Sequence, residues 1–480
     1  MSKTPETFAQ FLQRIAPRIA SLDRIIKRSG EPLQGNIFYP HLHLGARRQE
    51  GTLRIQTVRQ RCLKANVVVE IGFNAGHSAT VILESNPHVV LYSFDILCHR
   101  YGPPCVAQIK KTYGERFHFF QGDSTVQVPA CLPPDLKADV IFVDGSHDYA
   151  DVVLDIQNSA RLMHPGSRML LDDIRMPGVL RAYRDTKGPL NLCTLKHTGE
   201  QLVAVPRPAR DASGLRVHVF AIAMNGYDRV WKPCLESQRQ YCEYHGYEYY
   251  VLTDPAMLAK NLGEAQPGPS LHPKWHKISQ FDALLGQDRY DLVVLFDADL
   301  FVRDYCPPVT SVLTDKAIYV ALGFSNRPNS GMVMATPTAK PFFANLLAKR
   351  HDPVPKQCFV SAEGENGAFI REYQAHPDLF EIVDRRWNNN TDPNLEDYIR
   401  HFCGRFLKPP ITANGSVSAA YVRDPAKNKT VQVTPTSTRK PKATKPVRPV
   451  RPVKSTRRST RPVRSAKRRP GLLQKLQRRR

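Results

Sequence analysis

The sequence predicts an α/β protein: two α/β domains followed by a disordered basic tail. Three observations carry this. Short apolar, β-branched runs recur between Val67 and Leu171 and again between Leu215 and Ala335, with helix-like segments filling the gaps, the alternation of doubly wound sheets. Most of these runs close on a carboxylate or a glycine, so polar groups gather at the C-terminal ends of strands, where open α/β sheets bind ligands. Beyond Thr434 the pattern gives way to Thr, Ser, Pro, Lys and Arg, a composition with too little apolar surface to offset the entropy of ordering. The boundaries follow: a first domain over 1–205, a Pro- and Gly-containing linker over 206–214, a second domain over 215–412 and a tail over 413–480.

At 480 residues the chain is long enough for two sizeable cores. Its net charge of +24 is concentrated at one end, since eighteen Lys and Arg fall between Arg439 and Arg480 with no acidic residue among them. Such a tail suits non-specific binding to nucleic acid or an anionic surface, or simple solvation. No aromatic residue is interleaved for base stacking, which argues against sequence-specific reading. The ten cysteines form no Cys-x-x-Cys pair, which suits a reducing compartment rather than a disulfide framework or zinc site. The first thirty residues hold no apolar core of signal-peptide length, and no apolar run reaches membrane-spanning length. The expected location is the cytoplasm, with no signal peptide and no transmembrane segment.

Phe8 to Ile26 places apolar residues at helical spacing and reads as an amphipathic helix flanking the first domain. Val67-Val-Val-Glu70-Ile-Gly72 is the first strand, and Gly72 and Gly76 bound a tight turn into a helix beginning near Ser78. The second strand ends at Asp95, about twenty residues after Gly76, a spacing that suits a carboxylate on ribose hydroxyls. A third ends at Gly122-Asp123, a fourth at Asp144-Gly-Ser-His147 and a fifth at Asp172-Asp173. Segments 190–196 and 201–205 read as a closing hairpin. His147 is either a base or a hydrogen-bonded loop histidine, and Asp172-Asp173 either a cation site or a helix cap.

The ordered set Glu-x-Gly-x-x-x-Gly, Asp95, Gly-Asp123, Asp144-Gly-Ser-His147 and Leu-Leu-Asp172-Asp173 resembles the class I S-adenosylmethionine methyltransferases, with a Rossmann-like fold. Within them it is similar to the catechol-type and macrolide-sugar O-methyltransferases. The resemblance implies that Glu70, Gly72 and Gly76 frame the methionine moiety, that Asp95 holds the ribose and that Asp123 lies near the adenine. It also implies Mg²⁺ on Asp144, Asp172 and Asp173, where a hard cation lowers the pKa of a substrate hydroxyl; Asp144 is then a catalytic candidate, and His147 beside it is the candidate base.

The second domain restarts at Leu215 with a buried strand, a helix over 233–244 and a second strand from Glu248. Its focus is Asp291-Leu-Val-Val-Leu-Phe-Asp297-Ala-Asp299. The alternate carboxylates at a strand end can face one divalent cation carrying the phosphates of a nucleotide. Tyr241-Cys-Glu-Tyr-His-Gly-Tyr, Trp275-x-Lys277, Asp297-Ala-Asp299, Asn329-Ser-Gly331 and His401-x-x-Gly404 follow in the order seen in a GT-A glycosyltransferase family. That family contains galactomannan galactosyltransferases, xyloglucan xylosyltransferases and fungal mannan-chain enzymes. The resemblance implies retaining transfer from a nucleotide sugar (a UDP- or GDP-sugar) to a glycan acceptor. It places Mn²⁺ on Asp297, Asp299 and His401, Lys277 at the phosphates and Glu365 near the sugar. Where the family has an acid-Gln pair this chain has Glu365-Asn366, which leaves the donor open. Together the two domains describe a bifunctional glycan-modifying enzyme of a bacterial cytoplasm or a host cytoplasm occupied by a large DNA virus. Two rivals remain: a glycosyltransferase with an inactive methyltransferase-like scaffold, and a basic-tailed structural protein that binds nucleic acid.

Overall fold

The computed structural model describes residues 6–38, 46–254, 273–323, 325–358, 365–403 and 417. Gly404 of the last motif and, apart from Val417, the tail over 413–480 lie outside the described residues. Residues 1–430 form one unit that contains both sheets.

The first half opens with helix α1 (Phe8–Ser29), started by a capping box between Thr7 and Gln10 and closed by Gly30 in the left-handed region. Its face of Phe11, Ile15, Leu22 and Ile26 is buried. Helix α2 (Ala46–Cys62) follows. Then come β1 (Val67–Ile71), α3 (His77–Ser85), β2 (Val90–Asp95), α4 (Gly102–Tyr113), β3 (Phe117–Gln121), α5 (Ser124–Cys131), β4 (Val140–Val143), α6 (Tyr149–Ala160), β5 (Arg168–Leu171) and α7 (Pro177–Lys187). The expected hairpin is β6 (Leu192–His197) and β7 (Leu202–Pro206). The seven strands run in the order β3-β2-β1-β4-β5-β7-β6. β1 to β5 are parallel and β7 is antiparallel to both its neighbours. The strand order reverses beside β1, which lies between β2 and β4, and a doubly wound sheet opens a ligand crevice at that point. Strands β1 and β4 are almost wholly buried, as expected for parallel strands covered on both faces.

The second half contains β8 (Val217–Ile222), α8 (Tyr227–Val230), α9 (Lys232–His245), β9 (Glu248–Leu252), α10 (His276–Leu284), β10 (Leu292–Phe296) and β11 (Leu300–Val302). It continues with β12 (Ile318–Leu322), β13 (Pro328–Ala335), α11 (Lys340–Ala348), α12 (Glu365–Ala375), β14 (Phe380–Val383) and β15 (Ile399–His401). Six strands form a mixed sheet in the order β14-β12-β13-β10-β8-β9. β10 runs parallel to β8 and antiparallel to β13. A separate two-stranded ribbon pairs β11 with β15, with Leu300 opposite His401. That pairing brings two segments about a hundred residues apart to one place.

Three expectations change here. The stretch 206–214 carries no helix or strand beyond Pro206, yet it is docked rather than free. Tyr244 Oη donates to Pro208 O at 2.8 Å, and both Tyr247 Oη and Thr310 Oγ1 donate to Asp211 Oδ2, at 2.6 and 2.9 Å. Val417, assigned to the tail by composition, is 2 % exposed and packs with Cys234, Phe301 and Phe402, its N–H donating to Val230 O. Helix α2 was not expected at all. Its buried Ile55, Val58 and Cys62 are spread among arginines and glutamines, so the helical period is faint in sequence.

Candidate functional site

At the C-terminal ends of β1 to β4 lies a cavity of about 700 Å³. Gly72 and Phe73 follow β1, Asp95 ends β2, Asp123 follows β3 and Asp144 to His147 follow β4; all line it. Gln34 to Ile37, Cys98 and His99 line it from outside the sheet.

Each wall has a local cause. Gly72 has φ +94°, and a Cβ there would sit 2.1 Å from Asp144 O, so no other residue lets the two strand ends approach this closely. Asp95 accepts from the backbone N–H of Asn74 at Oδ2 and of Leu97 at Oδ1, both at 2.7 Å. Those bonds fix the carboxylate and leave its remaining lone pairs at the cavity. Asn74 in turn donates through Nδ2 to Gln34 O and Gly35 O, each at 2.9 Å, and accepts from Tyr101 Oη at 2.7 Å. The segment Gln34–Gly35 is thereby tied to Asp95 through Asn74. Asp123 caps α5, accepting from Thr125 N at 2.9 Å and Thr125 Oγ1 at 2.7 Å. Glu70 and Gly76, expected to frame the cofactor, do not line the cavity. Gly76 is the left-handed cap of α3. Glu70 is buried beneath the turn and accepts from Ser93 Oγ at 2.6 Å; burial pushes its carboxyl up to about 7.

Beyond β4 and β5 lies a cluster of three acids, one histidine and one arginine. Ligand atoms of Asp144, His147 and Asp173 lie within 4.8 Å of one another. His147 Nε2 is 3.1 Å from Asp173 Oδ2. That hydrogen bond to Asp173 holds the imidazole above its usual range and the Asp173 carboxyl below its own. Asp144 is held well above the usual carboxylate range by burial and by the neighbouring Asp172. Asp172 departs from the expected metal set. Its side chain is fully buried, away from the cavity, and its Oδ2 accepts from Arg54 Nη2 at 2.6 Å and Nε at 3.2 Å and from Gln201 Nε2 at 3.3 Å. Arg54 had no signal in the sequence, because it belongs to α2.

The second cluster sits where β10 ends. Asp297 N donates to Gly331 O at 2.8 Å and Phe402 N donates to Asp299 O at 3.1 Å, so β13 and the end of β15 anchor the two acids. His401 Nε2 lies 3.3 Å from Asp299 Oδ1 and 3.9 Å from Asp297 Oδ2, and ligand atoms of all three residues fall within 4.8 Å. A Cβ on Gly331 would come 2.2 Å from His401 Cε1, which is why the Asn-Ser-Gly motif ends in glycine. The histidine's polarity follows from its neighbours. Gly331 N and Asn388 Nδ2 both donate to Asn329 Oδ1, at 3.0 and 2.9 Å. Asn388 therefore turns its oxygen to His401 Nδ1, at 2.9 Å. Nδ1 donates to Asn388 Oδ1 and Nε2 faces the acids; against the effect of burial, the neighbouring Cys403 and Asp299 hold the imidazole well above its usual range.

Lys277 and Glu365 join this cluster through ion pairs and hydrogen bonds within the protein. Lys277 Nζ lies 3.2 Å from Asp297 Oδ1 and 2.7 Å from Glu365 Oε1, so its charge is engaged by carboxylates. Glu365 is buried at the start of α12 and also accepts from Ser330 Oγ at 2.7 Å. Asn366 Oδ1 accepts from Ser330 N at 2.8 Å. Burial, against the pull of Lys277, pushes the Asp297 carboxyl up to about 6. Asn329 was visible as a motif letter, but its relay through Asn388 to His401 was not.

Residues 69–174 match a family model described as a methyltransferase domain, so the chain contains such a domain. No curated protein matches the chain. Among solved structures, it is similar to a TDP-rhamnose 3'-O-methyltransferase of calicheamicin biosynthesis (15% identity, 42% of this chain and 96% of that one, TM-score 0.30). It is similar also to a glycosyltransferase involved in glycosylation of the major capsid of PBCV-1 (14%, 40% and 94%, TM-score 0.31). A third is the O-methyltransferase TomG of tomaymycin synthesis from Streptomyces achromogenes, in complex with SAM (17%, 38% and 96%, TM-score 0.27).

Proposed function

We propose that the cavity over β1–β5 is an S-adenosylmethionine site for O-methylation of a sugar hydroxyl. The observation that carries this is Asp95, pinned by two backbone N–H groups at the wall of a large cavity inside the methyltransferase-matched segment. S-adenosylmethionine bound there supplies an activated methyl group. Asp95 accepts from the ribose hydroxyls, Asp123 stands at the adenine end and Gly72 leaves room for close approach. His147 donates from Nε2 to Asp173, which leaves the lone pair on Nδ1 for the proton of the acceptor hydroxyl. Titration calorimetry tests the reading. S-adenosylmethionine should bind one per chain, and Asp95→Ala should weaken it by about 1–3 kcal/mol, the value of hydrogen bonds to a charged group. An unchanged dissociation constant removes Asp95 from the site.

The second cluster favours a second activity in the same chain, transfer of a sugar from a UDP- or GDP-sugar to a glycan. Its support is the orientation of His401, whose Nε2 faces two carboxylates. Asp297, Asp299 and His401 fit Mn²⁺, two oxygens and one nitrogen, and Mn²⁺ there would neutralise a leaving diphosphate. Lys277 and Glu365 brace Asp297 and Ser330 beside this site. A screen of nucleotide sugars for Mn²⁺-dependent hydrolysis identifies the donor; no turnover of any donor, with S-adenosylmethionine binding intact, returns the chain to a methyltransferase alone.

A further inference from the structure

Three consecutive asparagines, Asn388 to Asn390, lie between β14 and β15, and each is at most 3 % exposed. Two of them are accounted for. Asn388 bonds to His401 and to Asn329. Asn389 donates from Nδ2 to Asp392 O at 2.7 Å and to Asp397 Oδ2 at 2.8 Å, and its Oδ1 accepts from the N–H groups of Thr391 and Asp392. It therefore closes the 389–397 loop. Asn390 differs: its Nδ2 is buried and has no hydrogen-bond partner among the described residues. A buried amide donor left unpaired is costly, and a native one calls for an explanation.

The surroundings supply it. Gly323, just after β12, lies between Asn390 and Asn329: a Cβ there would come 3.2 Å from Asn390 Nδ2 and 3.6 Å from Asn329 Nδ2. Asn329 Oδ1 already accepts from Gly331 N and Asn388 Nδ2, so its Nδ2 is the end turned to this point. Gly323 has no positive φ, so glycine here provides room rather than an unusual backbone. Two amide donors thus converge over a residue with no side chain. The spot adjoins the second cluster. Asn389 O, in the peptide link to Asn390, accepts from His401 N at 2.9 Å, and Gly331 packs against the His401 ring.

We infer that Asn390, together with Asn329, binds a hydroxyl of the sugar transferred at the Asp297, Asp299 and His401 site. The inference deepens the sugar-transfer reading and rests on it. A phosphate is best met by a charged donor, and both of these groups are neutral amides, while Lys277 is paired with Asp297 and Glu365. A hydroxyl accepts and donates at once, which suits two Nδ2 donors and the Oδ1 of Asn390. A sugar joined to a diphosphate on the metal ligands also lies beside that metal, as Asn390 does. An amide that a sugar lacking this hydroxyl leaves unpaired discriminates between donors.

The test uses the full chain in Mn²⁺, with UDP, GDP, UDP-glucose, UDP-galactose and GDP-mannose as probes in titration calorimetry. Asn390→Leu keeps the shape of the side chain and removes the amide. Gly323→Ala leaves both amides and fills the space between them. Each variant should lose about tenfold in affinity for the sugar nucleotide that the unaltered chain binds, with affinity for the matching nucleoside diphosphate unchanged. Because Asn390 Nδ2 has no partner in the protein, Asn390→Leu should melt at or above the temperature of the unaltered chain. Unchanged sugar-nucleotide affinity in either variant overturns the inference. So does an equal loss for the nucleoside diphosphate, which would give the amide to the nucleotide, or a lower melting temperature of Asn390→Leu, which would make it part of the fold. If the unaltered chain binds none of the five probes, the sugar-transfer reading itself is refuted, a distinguishable result.

Discussion

The two clusters hold the same inventory and wire it differently. Each has three acids, one permanent cation and one histidine: Asp144, Asp172, Asp173, Arg54 and His147 in the first; Asp297, Asp299, Glu365, Lys277 and His401 in the second. In the first, the histidine gives its Nε2 proton to a carboxylate, so its Nδ1 lone pair is left for a substrate proton. In the second, Nδ1 donates to Asn388 Oδ1 and Nε2 is turned onto two carboxylates. Arg54 lies 2.6 Å from the buried Asp172 and 3.9 Å from Asp173, whereas Lys277 lies between Asp297, at 3.2 Å, and Glu365, at 2.7 Å. The proposed metal ligand thus differs from the proposed base in having its Nδ1 anchored by a side-chain amide, a detail that composition does not reveal.

The strongest way to break the first wiring is Gly72→Ala. The added Cβ meets Asp144 O at 2.1 Å at a φ of +94°, so overpacking and strain together should cost of order 3 kcal/mol and remove S-adenosylmethionine binding. Thermal unfolding and calorimetry on one preparation check both; a variant of wild-type stability would mean the strand ends do not meet as described. The second wiring is broken at its relay. Asn388→Leu removes the acceptor that fixes His401, and loss of such a supporting partner typically weakens metal binding about 10–100-fold. Mn²⁺ titration reads this, and an unaltered affinity would detach Asn388 from the site.

A smaller effect sharpens the contrast between the histidines. The hydrogen bond to Asp173 raises the His147 pKa above its ordinary 6.5. A base works deprotonated, so methyl transfer should rise with pH through that raised pKa and be depressed below it. His147→Gln should flatten the profile. A profile that falls with rising pH over the same range would assign His147 to an acid's role.

Much of this was legible in the sequence. The strand runs are dense in valine, isoleucine and leucine, and the acids that close them are placed by the strands themselves, so Asp95, Asp144, Asp297 and Asp299 fell where expected. What was not legible depends on distant pairing. His401 reaches Asp299 through the β11–β15 ribbon, which the resemblance implied but no local pattern showed. Arg54 reaches Asp172 across more than a hundred residues from a helix whose apolar face is diluted by charge. Glu365 carried in sequence the sugar-side role that the resemblance implied. The fold places it at a helix start and gives it Lys277 as partner.

The central claim is that one chain carries two separate sites, and Asp299→Asn tests it most directly. The amide keeps the shape of the carboxylate, so the strand end packs as before, while one full charge on the cation is lost. Donor hydrolysis across a Mn²⁺ titration and S-adenosylmethionine affinity are measured on the same purified protein. The account predicts that sugar transfer falls to background while the S-adenosylmethionine dissociation constant stays at its wild-type value. Wild-type donor turnover at ordinary Mn²⁺, or a parallel loss of S-adenosylmethionine binding, would contradict it.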